Sequence, residues 1–583
     1  MATGRLGKWV EEPRAVLPVV EWLPRYRRSW LRLDVVAGLT VTASVIPESM
    51  AYATLAGMPP QTGLYAALLA VLAYALFGTS RQVVVGPTSA LAILLAGSVG
   101  AVATGGASGY AALVATTTVL VGVVALVAWL LRLGFLVNFI SGSVLTGFSA
   151  GAALYIMSTQ LGPLLGIEGA TGEFYERLWF VATHLDALSA ATAAVGLAGV
   201  ALFVVGERFF PRAPNALVVV GLAIVAMQVT DLQARGVAVV GEIPSGLPSL
   251  TVPALSVTAV GTLLPAAVAL FLLSYVQGIS AVETFAREHD YRADSNQELL
   301  ATGVANLAAG VGGGFAVGGS MSRSALNDAV GGRTQLVNFV VAGLLVLVLL
   351  FLTSVFTTLP EAILAAVVIV AVKGLVDVPA LRRLYAVSRA EFAVAAVVLV
   401  GVLVVGLLWG VFLGVAASLL VTVARISDPQ TETLGRVPGT THYVDRHRHP
   451  ETTEESGVLV YRVDAELFYA NAEPVRKELV GRVRARDPPP SLVVVDLSTS
   501  PTVDVGAAEM LGDLHEDLAD ADVALGLAGV SPAARRLLVR AGVDDRVGPI
   551  GDDETIADVV ETWRRSNDGG DGSDGGGSDG GGR

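Results

Sequence analysis

Two stretches decide the fold: Val85-Gly86-Pro87-Thr88-Ser89-Ala90 and Val317-Gly318-Gly319-Ser320-Met321-Ser322-Arg323. Their starts lie 232 residues apart, and each opens an apolar element too short to cross a bilayer. Gly and Pro break a helix there, and the half-helix that follows begins with unpaired N–H groups. Its dipole favours negative charge. Two such starts at corresponding places in two halves of a chain are the signature of a carrier built from inverted repeats, whose substrate sits where the broken helices meet. The hydroxyls of Thr88, Ser89, Ser320 and Ser322 would then complete an anion site. The competing reading of each stretch alone is that small residues permit close helix packing. The paired spacing favours the site.

Around these stretches the chain is a membrane protein. It has 583 residues, 53% hydrophobic and only 15% charged, against about a quarter charged in soluble proteins. Tyr110–Leu131, Ala187–Val205, Val257–Val276, Gln335–Leu352 and Glu391–Leu408 are each apolar over one bilayer's width, for which about 20 residues suffice. The pattern predicts fourteen elements, starting near residues 35, 63, 87, 109, 134, 182, 214, 260, 297, 321, 335, 359, 391 and 407. With that count Arg81, Arg132, Arg208, Arg212, Arg287, Arg292, Arg333, Arg382, Arg383 and Arg389 share the side of the N-terminus. Loops of the opposite side carry only Arg177 and Arg235. Such asymmetry places the arginine-rich side in the cytoplasm, and an even count brings the C-terminal part there too. Met1–Asp34 holds 7 basic and 4 acidic residues and no cleavable apolar core. The expected location is the cell membrane, multi-pass.

The net charge of −13 divides unevenly. Residues from Asp428 onward hold 30 acidic and 16 basic side chains, whereas residues 1–427 hold 21 and 22. The apolar block is nearly neutral and the C-terminal part strongly acidic. Only three residues are lysine, which fits a salt-rich cytoplasm or a GC-rich genome equally well. No basic surface exists to recruit nucleic acid. Without cysteine there is no disulfide, zinc thiolate or Cys nucleophile. No nucleophile–base set or phosphate loop points to an enzyme. No cofactor is implied, and the scattered loop residues His442, His447 and His449 do not form a metal set.

Three polar residues intrude on the apolar elements. A charge within the membrane is costly and usually functional, and Arg323 sits in the first turn of a half-helix; its alternative is an edge anchor that snorkels to water. Glu48 follows Pro47 in the first element, with Tyr52 one turn later on the same face. Glu48 gates, takes up a proton or balances Arg323, or else bonds the backbone that Pro47 frees. Gln277 lies in the eighth element. Glu283 beside Arg287 reads as an interfacial ion pair.

Asp34-Val35-Val36-Ala37-Gly38-Leu39-Thr40, Ile46-Pro47-Glu48-Ser49-Met50-Ala51-Tyr52-Ala53, Gly63-Leu64-Tyr65, Gly78-Thr79-Ser80-Arg81 and Val85-Gly86-Pro87-Thr88 closely resemble the sulfate permease (SulP) family of anion transporters. Asp294-Ser295-Asn296-Gln297-Glu298-Leu299, Ala305-Asn306-Leu307 and Gly319-Ser320-Met321-Ser322-Arg323-Ser324-Ala325 continue the pattern. The resemblance spans about residues 25–565. It implies a seven-plus-seven inverted repeat with core and gate subdomains, an elevator-like motion, a homodimer and a C-terminal STAS domain. Family substrates include sulfate, bicarbonate, chloride and dicarboxylates. Carried over by position, the substrate-binding residues are Glu48, Tyr52, Thr88, Ser89, Gln277, Ser320, Met321, Ser322 and Arg323. The chain departs from the family twice. Position 48 is often Gln in relatives and here is Glu; position 277 often carries an acid in cation-coupled relatives and here is Gln. A neutral amide holds neither a proton nor Na⁺ by charge, so Na⁺ coupling is disfavoured; either Glu48 is the candidate for H⁺ coupling, or the protein works by exchange or facilitated flux.

The expected organisation is an N-terminal segment (1–33), a transport domain (34–427, repeats about 34–230 and 257–427), a polar connector (428–456), a STAS domain (457–565) and a disordered Gly/Asp/Ser tail (566–583). Strand-like runs at 457–463, 491–497 and 523–528 alternate with helical patterns at 472–485, 506–519 and 532–541, an α/β arrangement. The resemblance places a regulatory Ser or Thr just before the Gly of the second STAS helix; Val505 stands there, so that phospho-switch is missing. Asp496 and Ser498 read as a strand-end turn rather than a polar site. The partners expected are a small anion, coupled H⁺, membrane lipid and a second copy of the chain. Two other functions fit less well: an anion-responsive sensor or scaffold signalling through STAS, and a nucleobase permease-like carrier.

Overall fold

The computed structural model describes residues 17–103, 106–134, 141–210, 214–253, 256–552 and 554–568. The expectations for residues 1–16, for the opening of the fifth element, for Arg212 and for the tail beyond Asp568 lie outside them. The chain forms two compact units, divided between Ser418 and Leu419.

The first unit is helical. Its first half runs α1 (Leu31–Leu55), α2 (Pro60–Phe77), β1 (Val85–Pro87), α3 (Ser89–Gly100), α4 (Gly106–Leu130), α5 (Gly142–Leu165), a short α6 (Phe174–Thr183), α7 (Ala190–Phe209) and α8 (Asn215–Val229). The second runs α9 (Val257–Glu288), α10 (Ser295–Val311), β2 (Val317–Gly319), α11 (Met321–Val330), α12 (Leu336–Leu347), α13 (Glu361–Lys373), α14 (Val378–Val387), α15 (Arg389–Val405) and α16 (Leu407–Ser427), of which the part up to Ser418 belongs to this unit. Among the described residues eight helices are long and apolar enough to cross a membrane. The two short elements at corresponding places, α3 and α11, are each preceded by a three-residue strand.

Small residues set how closely the helices approach. A Cβ on Gly303 of α10 would meet the Gly122 carbonyl of α4 at 3.2 Å, and one on Gly310 would meet Val119 N at 2.9 Å. Between lipid-facing helices the hydrophobic effect contributes little, so such backbone contacts carry the association. In α4, Thr116, Thr117 and Thr118 return their hydroxyls to carbonyls one turn earlier, which hides polar groups that lipid cannot satisfy.

β1 and β2 pair antiparallel, with Val85 opposite Gly319, Gly86 opposite Gly318 and Pro87 opposite Val317. This two-stranded crossing was not legible in the sequence, since strands of three residues show no alternation. Extended backbone within a membrane domain survives only where protein encloses it, and all six residues are buried. Gly319 is required by contact: a Cβ there would lie 2.6 Å from the Gly278 Cα of α9.

The second unit is an α/β layer. Its sheet has the order β4-β3-β5-β6-β7, built from β3 (Thr431–Arg436), β4 (Tyr443–Asp445), β5 (Val458–Val463), β6 (Leu492–Asp496) and β7 (Ala524–Ala528). β5, β6 and β7 are parallel; β3 pairs antiparallel with β4 and β5. Alternate residues of β5 face opposite ways. Leu459, Tyr461 and Val463 join the core under α17 (Tyr469–Arg484), α18 (Val505–Ala519) and α19 (Pro532–Arg540). Val458 and Val460 join a smaller cluster with Val560 and Trp563 of α20 (Ile556–Asp568). The stretch expected to be a polar connector therefore contributes two strands. Its polar residues misled because β3 keeps only Leu434 and Gly435 buried, the habit of a strand near a sheet edge.

Candidate functional site

The site is built where the two strand-to-helix turns meet. Thr88 is extended and caps α3, its Oγ1 accepting from Leu91 N. Ser320 caps α11 in the same way, its Oγ accepting from Arg323 N. Both helices thus begin at the predicted hydroxyls, and the other first-turn N–H groups of each remain available.

Arg323 occupies the third position of α11 and is 1% exposed. Its Nη2 donates to the Pro87 carbonyl of the opposite strand at 2.7 Å. Its Nε and Nη1 are buried and bond to no protein acceptor. Nη1 lies 3.8 Å from Oε2 of Glu48, an ion pair beyond hydrogen-bonding distance. This excludes the snorkelling alternative, since the guanidinium does not reach an aqueous edge. Glu48 is 9% exposed, and Ser44, one turn earlier in α1, donates to its Oε1 at 2.5 Å. Tyr52 is buried one turn beyond.

The second link runs between α3 and α9. Thr88 Oγ1 donates to Gln277 Oε1 at 3.3 Å. Of the nine predicted residues, direct contacts therefore join Glu48 to Arg323, Ser320 to Arg323 and Thr88 to Gln277. Ser89 is buried at the start of α3. Met321 and Ser322 are exposed in the first turn of α11, Met321 at 43%. Glu283 and Arg287 form the expected surface ion pair.

A shell of polar side chains to which sequence reading assigns no binding role, although Thr79, Glu298, Asn306 and Ser324 lie in the motifs that carry the family resemblance, holds the turns. Val84 N donates to Ser324 Oγ at 3.0 Å. Asn327 Nδ2 donates to Gln82 O, and Asn338 Nδ2 and Gln335 Nε2 both donate to Val83 O. On β2, Val317 N donates to Asn306 Oδ1 at 3.0 Å; Val317 O accepts from Asn306 Nδ2 at 3.0 Å and from Ser274 Oγ at 2.7 Å. Glu298 of α10 accepts from Tyr74 and from the backbone and side chain of Thr79. Sequence supplied one signal for this shell, amides and hydroxyls recurring inside apolar elements, but not their partners.

Among the described residues no group of three His, Asp or Glu side chains is placed to hold a metal. In the second unit Asp496 is tied to Arg462 at 2.7 Å and accepts from Ser498 N, which makes it a strand-end turn. Val505 is 61% exposed at the start of α18, whose cap is Asp504.

The sulfate permease family profile matches residues 31–398. The chain belongs to the sulfate permease family. A STAS domain profile matches residues 449–561. A probable sulfate transporter of Mycobacterium tuberculosis is 37% identical over 548 residues, covering 94% of this chain and 98% of that one. Sulfate transporter 4.1, chloroplastic, of Arabidopsis thaliana is 30% identical, covering 93% and 81%. In fold, this sulfate permease family member is similar to murine Slc26a9, an anion transporter solved inward-facing (TM-score 0.86, 23% identity, 94% of each chain). It is also similar to the transmembrane domain of the cyanobacterial bicarbonate transporter BicA (TM-score 0.58, 21% identity, 67% of this chain and 98% of that one). The chain is an anion transporter with a STAS domain, not an enzyme.

Proposed function

We propose that this transporter carries sulfate, or an anion of similar size such as bicarbonate, by an elevator-like alternating-access cycle coupled to H⁺. The anion lies between the capped starts of α3 and α11 and takes its charge contact from Arg323. The observation that carries this reading is the Arg323 guanidinium, buried, anchored through Nη2 to Pro87 O and with Nε and Nη1 bonded to no protein acceptor. A buried guanidinium with N–H donors free at two nitrogens suits an oxyanion, which accepts several charge-assisted hydrogen bonds. The names of the relatives favour sulfate.

Charge bookkeeping gives Glu48 its part. With Glu48 ionised, the pair Glu48/Arg323 is neutral and the unloaded carrier moves no net charge. An arriving anion competes with the Glu48 carboxylate for Nη1, and protonation of Glu48 removes that competition. Loaded and protonated, the site is neutral with bicarbonate and carries one negative charge with sulfate. Gln277 is a neutral hydrogen-bond partner for Thr88 and supplies no cation site. Two copies of the chain, with the STAS domains in the cytoplasm, are the expected assembly.

The test is uptake of labelled sulfate into proteoliposomes, with bicarbonate, chloride and dicarboxylates as competitors. Saturable uptake that rises with an inward proton gradient and disappears in Arg323→Ala supports the proposal. Anion binding without flux in the native protein would sink it in favour of a sensor.

A further inference from the structure

The site depends on where β2 ends, because Ser320 and Arg323 follow it by one and four residues. β2 is only three residues long, two of them glycine, and so has little side-chain packing of its own to locate it. Its first residue, Val317, faces Pro87 across the crossing. Ser320 N donates to Val84 O, so by the alternation of an antiparallel ladder Val317 and Pro87 form a non-hydrogen-bonded pair and the polar groups of Val317 point away from β1. Both polar groups of Val317 are instead taken by side chains. The Asn306 carboxamide accepts from Val317 N and donates to Val317 O, both at 3.0 Å, so it mimics the peptide of a third strand. Ser274 adds a second donor to the same carbonyl at 2.7 Å. Asn306 and Ser274 are fully buried, on α10 and α9 respectively. One turn beyond Ser274, α9 carries Gln277, which holds Thr88, and Gly278, which touches Gly319. One face of α9 therefore contacts both strand-to-helix turns, and the Asn306 amide clamps the upstream end of one of them.

We propose that Asn306, assisted by Ser274, is a positioning residue for anion binding: by clamping both backbone groups of Val317 it sets where α11 presents its N-terminal N–H groups and Arg323. The inference rests on the site described under the proposed function. Interactions that act on charge must be placed to within about half an ångström. Loss of the clamp loosens the register of a three-residue strand and moves the anion's donors with it. Asn306 does not touch the anion, so its loss weakens binding without removing the cation.

The experiment is labelled sulfate uptake by the full chain in proteoliposomes, with KM and maximal rate measured separately for Asn306→Ala, Ser274→Ala and both together. Thr118→Val is the control for general destabilisation; Thr118 is as buried and also bonds a carbonyl, Val114 O, but that bond stays within its own helix, α4. Asn306→Ala is expected to raise KM about tenfold, with a smaller change in maximal rate. Ser274→Ala should raise it two- to fivefold, because Asn306 still supplies one donor to Val317 O. The double variant should exceed the product of the two, since that carbonyl then has none. Thr118→Val should lower the melting temperature with KM unchanged. If Asn306→Ala does not fold, Ser274→Ala decides alone. Unchanged KM in the folded clamp variants overturns the inference, as does an equal rise in Thr118→Val. Arg323→Ala separates the two levels: if it transports normally the site itself is wrong, and if it is dead while the clamp variants keep native KM only this inference fails.

Discussion

Glu48→Gln is the most informative single change. Glutamine keeps the length and shape of the side chain, and the Ser44 hydroxyl keeps a carbonyl oxygen to bond. What goes is the charge 3.8 Å from Arg323 Nη1. At that separation two unit charges attract by about 4 kcal/mol for an effective dielectric of ~20, a gross figure before desolvation. In the variant the unloaded carrier holds an uncompensated buried cation and must move it to return. If only a third of the attraction appears in that barrier, about 1.4 kcal/mol, the return slows about tenfold. The loaded carrier is affected the other way, because nothing competes with the anion for Nη1. The expected result is a split between two assays on the same proteoliposomes. Net sulfate uptake driven by a pH gradient falls at least tenfold and loses its pH dependence. Exchange of labelled for unlabelled sulfate across the membrane persists, since neither direction needs the unloaded return. Native-like net uptake that still follows the pH gradient would refute the reasoning, and loss of both activities in a folded variant would show that Glu48 binds the anion rather than substituting for it.

Arg323→Ala should reduce both net uptake and exchange more than 100-fold, whereas Arg323→Lys should retain part of the exchange with a raised KM, because a lysine keeps the charge but not the fork that reaches Pro87 O. Gly319→Ala places a Cβ 2.6 Å from the Gly278 Cα, so a thermal melt of the purified chain should show a loss of roughly 1–3 kcal/mol, the usual range for overpacking. In the STAS unit, burial first, then repulsion from Asp464 and Asp445, raises the Glu432 carboxyl above its ordinary value against the pull of Arg448. A group whose pKa is raised by folding contributes stability at low pH that is lost as pH rises through its folded value. Glu432→Gln should therefore melt higher than the native chain at pH 7–8, with the gap closing below about pH 4.5, near the ordinary glutamate range; a gap independent of pH would contradict this origin.

The helical membrane fold and the two interrupted elements within it were legible because glycine, proline and hydroxyl residues at a helix start have few other uses inside a hydrophobic run. Arg323 and Glu48 stood out for the same reason. What the chain did not reveal was who touches whom. Nothing near Arg323 in sequence announces that its guanidinium crosses to Pro87, because the partner lies 236 positions away and is a backbone atom. The shell of Asn306, Ser324, Asn327 and Asn338 was hidden similarly: each bonds main chain, and a main-chain acceptor has no sequence signature. β3 and β4 were missed because a short polar strand resembles a loop until a neighbour pairs with it. The nine candidate residues were chosen by type and position, while the contacts among them and the exposure of Met321 and Ser322 required coordinates.

Leu91 and Arg323 occupy the same third position of their half-helices, each offering its N–H to the capping hydroxyl. One is a fully buried hydrocarbon, the other a buried cation. The backbone scaffold is thus close to even-handed between the two halves at this point, and the full positive charge is carried by one of them only. At this position the two halves therefore differ in charge through a side chain alone, while the capped helix start that carries it is the same in both.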